Sequence, residues 1–238
     1  MANELIANLF SLESAGEILF LEETGHSLAD KVLRKIQDGS YSWVDIVDEF
    51  NTCLDYLAGK YNLPDLEHTE DVSTNSNVGY IPMPANFQKN LWYCKSLTHN
   101  RVIDIKDSVI NLYRHYTVLD QSGPVQGVSV KGNALHYQRI PGTAEVLRLI
   151  YYRYPTRLRS RYDKPVCLPP HMVEPLLVNY ACREIYGEIE DGIEGKQVNT
   201  DRYGKKFAEA EVELDRLVGP PRHAPIDLPD EMAWDAYV

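Results

Sequence analysis

The chain has 238 residues, 44% of them hydrophobic, which is enough to bury a core in one large domain or in a helical domain carrying a second, and is too apolar for a disordered tail. Lys and Arg number 24 against 35 Asp and Glu; the net charge of -11 argues against general coating of nucleic acid. Cys53, Cys94, Cys167 and Cys182 lie far apart with no C-x-x-C spacing, which excludes a zinc cluster of the usual pattern and a dense disulfide framework and points to a reducing cytoplasm.

The first 26 residues read as an acidic, partly apolar leader, with Glu4 where a secretory signal carries Lys or Arg, and no apolar run approaches the length of a membrane span. Ser27 is the expected N-cap of a helix with Leu28, Val32, Leu33 and Ile36 on one face, closed by Gly39. Ser42 opens a second helix with Asp45 in capping-box position and Trp43, Ile46, Val47, Phe50, Leu54 and Leu57 as a buried stripe ending at Gly59. Residues 27–61 are thus predicted to form a helical hairpin. Residues 62–77 are polar and rich in turn formers, and read as a linker.

Short β-prone runs follow at Tyr80 to Pro82, Leu91 to Tyr93 and Val102 to Ile105. Val125 to Val130 alternates, Lys131-Gly132-Asn133 offers a turn, Leu135 to Ile140 is a second strand, and Pro141-Gly142-Thr143 turns into a third; the expectation is a three-stranded meander within a β domain spanning 78–156. The third strand sets Leu147, Leu149 and Tyr151 on one face and Val146, Ile150, Tyr152 and Tyr154 on the other, so both faces are expected to be covered. Val173, Leu176, Leu177, Tyr180, Ala181 and Ile185 then mark a helix starting near Val173, or kinked there by Pro175, and stopping between Gly187 and Gly192. A last helix from about Thr200 carries Tyr203, Phe207, Ala210, Leu214 and Leu217 and ends at Gly219; residues 157–218 complete the helical part. The tail 219–238 is broken by prolines yet holds Ile226, Leu228, Met232, Trp234 and Tyr237, a composition suited to docking in a groove of a neighbour or to folding back on its own domain.

From Glu145 to Lys164 the charge is net +4 in a chain that is -15 elsewhere: Arg148, Arg153, Arg157, Arg159, Arg161 and Lys164 face only Glu145 and Asp163. Arginines beside tyrosines suit bidentate and cation-π contacts at a subunit interface. The same cluster would also suit a small module binding nucleic acid or another ligand, although no binding motif accompanies it and the surrounding chain is acidic. His171 and Glu174 share a helix face near Glu188, Glu190, Asp191 and Glu194, a common spacing without a second matching pair or a calcium loop. Cys167 paired with His171 or His136 would be a nucleophile with its base, but Cys167 sits in an apolar Pro-Val-Cys-Leu-Pro run. No G-x-S-x-G, Walker or G-x-G-x-x-G pattern is present, so neither catalytic nor metal residues nor a cofactor are assigned, and the chain is not read as an enzyme.

Four features taken in order resemble the head-to-tail adaptor, or connector, family of tailed bacteriophages. They are the helical hairpin with Ser42-Trp43 and Phe50-Asn51; Ile81-Pro82 with Ala85 and Phe87; the strand, turn and strand through Gly132-Asn133; and Tyr151-Tyr152-Arg153-Tyr154-Pro155 leading to Leu168-Pro169-Pro170 and the Leu176-Leu177 helix. The resemblance implies an α+β fold, an antiparallel helical bundle with an inserted small antiparallel β domain and an extended C-terminal tail. It further implies a ring, typically twelvefold, under the portal of a virion, with DNA passing through its lumen and tail or nozzle components docking below. The interface residues expected on this basis are Arg153, Arg157, Arg159, Arg161, Ile226, Leu228, Met232, Trp234 and Tyr237.

Overall fold

The computed structural model describes residues 24–116, 118, 121–160, 162–190 and 197–219. These fall into two compact units: residues up to Phe50 with Leu158–Ala208, and Asn51–Arg157 with the described residues from Glu209 onward. The architecture is mixed α+β, with five α-helices and two four-stranded sheets among the described residues. Among the described residues no helix is long and apolar enough to cross a membrane.

In the first unit, α1 (Gly25–Ile36) starts earlier than its sequence suggests. Thr24, not Ser27, is the N-cap: the Ser27 N–H donates to Thr24 Oγ1 at 3.3 Å, and the Thr24 N–H donates to Ser27 Oγ at 3.1 Å. Ser27 stands at the third helical position, where its hydroxyl does the work a glutamate does in the usual capping box. The Gly25 N–H, which has no partner inside the helix, donates to the Asp163 carbonyl at 2.8 Å. The helix stops at Gln37, whose φ of 57° gives the left-handed cap expected of Gly39. The next helix, α2 (Trp43–Lys60), has the predicted box: the Ser42 N–H donates to Asp45 Oδ2 at 2.7 Å and the Asp45 N–H to Ser42 Oγ at 3.4 Å. Ile46, Val47, Phe50, Leu54 and Leu57 are all buried along it.

After the sheets come α4 (Pro170–Glu190) and α5 (Val198–Val218), with Pro175 inside α4. A proline there forfeits a backbone bond and crowds the preceding turn, at a cost of about 3 kcal/mol. Burial of Met172, Val173, Leu176 and Leu177, each contributing roughly 1.5–3 kcal/mol, outweighs it, so the helix begins at Pro170 instead of near Val173. Lys31 on α1 reaches Glu174 on α4 at 2.7 Å. Between α4 and the first part of α5, Tyr180 meets Phe207 edge-on at 5.4 Å, Tyr186 stacks on Tyr203 at 5.6 Å, and the Arg183 guanidinium lies 4.6 Å from the Tyr180 ring.

The second unit holds the eight strands found among the described residues: β1 (Glu67–Ser73), β2 (Tyr80–Pro82), β3 (Phe87–Ser96), β4 (Arg101–Val102), β5 (Asp104–Lys106), β6 (Gly127–Lys131), β7 (Ala134–Gln138) and β8 (Val146–Arg153), with the short helix α3 (Val109–His115) between β5 and β6. One sheet runs β1-β8-β3-β4, the other β2-β7-β6-β5, antiparallel except where β5 joins β6. Side chains of both sheets meet in one core that includes Ile81, Leu91, Cys94, Ile103, Val128, Leu135, Tyr137, Leu147, Leu149 and Tyr151. Two expectations are corrected here. Part of the supposed linker 62–77 is β1, a strand whose polar alternation gave no apolar signal because it lies at a sheet edge. The meander is not formed either: β6 and β7 pair through the turn at Gly132 (φ 58°), but β8 crosses to the other sheet and lies between β1 and β3. On β8, Leu147, Leu149 and Tyr151 are fully buried, whereas on the other face Tyr152 is buried, Ile150 half-buried, and Val146 and Tyr154 exposed. One face of that strand is fully buried, and the other is covered only in part.

Candidate functional site

The basic stretch begins on β8 and continues past Pro155 without regular structure. On β8, Arg148 stands directly opposite Asp71 of β1, and its Nε and Nη2 each lie 2.8 Å from one carboxylate oxygen. That fork holds the Asp71 carboxyl below its ordinary range. Arg153 ends the strand half-buried, its Nε enclosed and without a hydrogen-bond acceptor among the described residues. Arg157 is mostly exposed, with Nη2 3.2 Å from Asp55 of α2. These three belong to the second unit.

Arg159 lies in the first unit, exposed, at the start of a turn pinned by Asp163. The Asp163 carboxylate accepts the N–H groups of Arg159 at 2.7 Å and Ser160 at 2.8 Å, and these bonds lower its pKa. Arg161 and the tail residues Ile226, Leu228, Met232, Trp234 and Tyr237 lie outside the described residues. The island is therefore less basic in space than along the chain. Arg148 and Arg157 each face a carboxylate, Asp71 or Asp55, that is distant in sequence.

The other candidate chemistry is occupied by structural work. Glu174 carries the ion pair to Lys31, and the Tyr41 hydroxyl donates to Glu188 at 3.2 Å. Glu190 accepts the N–H groups of Asn199 and Thr200 at 3.1 and 3.2 Å and the Thr200 hydroxyl at 2.8 Å, closing the start of α5. Among the described residues no group of three or more His, Cys, Asp or Glu is placed to hold a metal. All four cysteines are buried and unbridged; burial pushes the Cys94 thiol up to about 12 and Cys182 up to about 11.

Within the second unit there is also a cleft of about 640 Å³ that no local pattern marks, lined by residues including Lys60, Tyr61, Asn62, Lys89 and Glu211. Its cations are engaged. Lys60 Nζ is 2.7 Å from Glu211 and lies over the Tyr56 and Tyr61 rings, while Lys89 donates to the carbonyls of Gly59 and Tyr61 at 2.9 and 2.7 Å, capping the end of α2. Nothing in it converges on a reacting atom.

Residues 24–224 match the SU10 adaptor protein family. The chain belongs to that family. The match takes in the Thr24 cap, both sheets and every described helix, the span over which the adaptor resemblance runs, and it is consistent with a head-to-tail adaptor of a tailed phage. The family is one of structural phage adaptors, and it implies a place in the virion. A comparison with curated proteins gave no match.

Proposed function

We propose that this chain is a structural subunit of a phage head-to-tail junction that assembles as a ring, twelvefold, beneath the portal, gives DNA a conduit, and presents a docking surface to tail or nozzle components. The observation that carries the reading is the family match across residues 24–224. Under it, residues 24–61 and 157–218 complete an antiparallel helical bundle into which the β domain of 78–156 is inserted, joined by β1 from the segment before it, with the residues before Thr24 as leader. Arg153, Arg157, Arg159 and Arg161 and the tail residues Ile226, Leu228, Met232, Trp234 and Tyr237 are the proposed contacts to neighbouring subunits and the portal. The engagement of Arg148 and Arg157 by carboxylates supports a protein partner for this stretch over nucleic acid, since two of its cations are already neutralised. The excess of acidic residues supports a lumen that repels phosphates and lets DNA move with little sticking.

The test is to mix the purified chain with its portal protein and measure the mass of the product. A complex with several subunits per portal ring is expected. It should be lost when Arg157, Arg159 and Arg161 are replaced together by serine. Failure of the unaltered chain to bind the portal overturns the proposal, while loss of binding on tail removal alone would move the contact from the arginines to the tail.

A further inference from the structure

Among the described residues the two sheets end on four strands, and three are short: β4, which pairs with only Lys95 and Ser96 of the bulged β3, has two residues, β5 three, and β2 three ending in Pro82. Shortness and proline are ordinary guards against strand addition. The fourth edge, β1, is seven residues long, has no proline and pairs with β8 without a bulge from Glu67↔Tyr152 to Ser73↔Val146. Its outward backbone can be read from the ladder. The Thr74 N–H donates to the Glu145 carbonyl at 2.8 Å, so Thr74, Val72, Glu70 and His68 turn their backbone groups toward β8. Leu97 donating to the Val146 carbonyl on the far side of β8 fits the same phase. Glu67, Thr69, Asp71 and Ser73 therefore point their backbone groups outward, and all four are exposed. The Glu67 N–H is taken by Pro64, which leaves the N–H groups of Thr69, Asp71 and Ser73 and four carbonyls for a partner.

What guards this edge is charge. From Tyr61 to Gln88 the chain carries Asp65, Glu67, Glu70 and Asp71 and no Lys or Arg; Asp71 is offset by Arg148, and Glu70 accepts the Tyr151 hydroxyl at 2.6 Å with His68 Nε2 3.7 Å away. Two copies pairing β1 to β1 would set carboxylates against carboxylates, which disfavours self-addition, and phosphate backbones are repelled likewise. We propose that β1 is a strand-addition site for an extended segment of a different protein bearing Lys or Arg at alternate positions: its backbone supplies the ladder and its cations, all on one face of the added strand, meet Glu67 on the exposed face of β1. This stands or falls independently of ring formation.

The probe is a synthetic ten-residue peptide alternating Lys with Val or Thr, added to the full chain while amide hydrogen exchange is followed residue by residue. Exchange at Thr69, Asp71 and Ser73 is expected to slow by about tenfold or more at saturation, with His68, Glu70 and Val72 unchanged. Thr69→Pro removes an outward donor without touching the β8 ladder and should weaken binding by about tenfold, and Glu67→Lys should weaken it while leaving the strand folded. The proposal is overturned by no slowing at the odd-numbered residues, by equal binding of the same peptide interrupted with prolines, by equal binding of its Glu counterpart, or by neither variant changing affinity. Odd-residue protection in the free chain that grows with protein concentration would assign the edge to a second copy and overturn it as well.

Discussion

Single residues carry much of the order at one end of the β unit. Glu145, just before β8, is almost fully enclosed; its carboxylate accepts the Val125 N–H and the Ser96 hydroxyl, each at 3.3 Å, and faces His99 Nε2 at 3.3 Å. Its backbone N–H donates to the Thr74 hydroxyl at 2.9 Å, so one residue ties together the ends of β1 and β3 and the approach to β6. Glu145→Ala leaves the buried Val125 N–H without an acceptor and is expected to cost about 2 kcal/mol, measured by urea unfolding, with Glu145→Gln losing less because it keeps an acceptor. Gly127 is set by contact: a Cβ there would lie 2.7 Å from Tyr116 Cε2 and 3.0 Å from Leu112 Cδ1. Gly127→Ala should therefore lower stability by roughly 2 kcal/mol, read from the same unfolding curves. Neither role is visible in the sequence, because each depends on neighbours brought in from other elements.

At the scale of elements, the helices were readable and the strand pairings were not. Hydroxyl, spacing and apolar stripe located α2 almost to the residue, since capping and a 3.6-residue period are local. The start of α4 at Pro170 is not legible in the sequence, because the penalty of Pro175 is local and the burial that exceeds it is not. The start of α5 depends on a contact that neither periodicity nor capping residues announced, the Glu190 clamp. Desolvation pushes the Glu190 carboxyl up, but the hydrogen bonds it accepts from Thr200 and Asn199 outweigh this and hold it below the ordinary glutamate value. A carboxyl lowered in the folded state adds stability that is present above its unfolded value and lost as pH falls through the folded one. Acid titration followed by circular dichroism should accordingly show helix loss at the low end of the carboxylate range, and Glu190→Gln should remove that part of the pH dependence.

For the whole molecule, the family match fixes the kind of protein, and the tail tests how it assembles. Under the proposed function the tail after Gly219 contacts the portal, so trimming it there should abolish assembly with the portal, read from the mass of the product. A truncated chain that still forms the portal complex would remove the tail from the proposed interface. The candidate site divides the same way: the arginines were countable, but Asp55 and Asp71, the carboxylates that engage two of them, stand 102 and 77 residues away in the chain.

The sequence by itself determined the class, the helix faces, the β6–β7 turn and the family, because each rests on local spacing or on an ordered set of short marks. Only the tertiary structure decided that β8 lies between β1 and β3, that a polar segment is an edge strand, and which cations of the basic stretch face carboxylates. Strand pairing and ion pairing join residues far apart in the chain, and their free energy depends on a geometry that no local pattern records. The stretch from β8 through Arg157 shows both limits: its charge was plain in the sequence, and its partners were not.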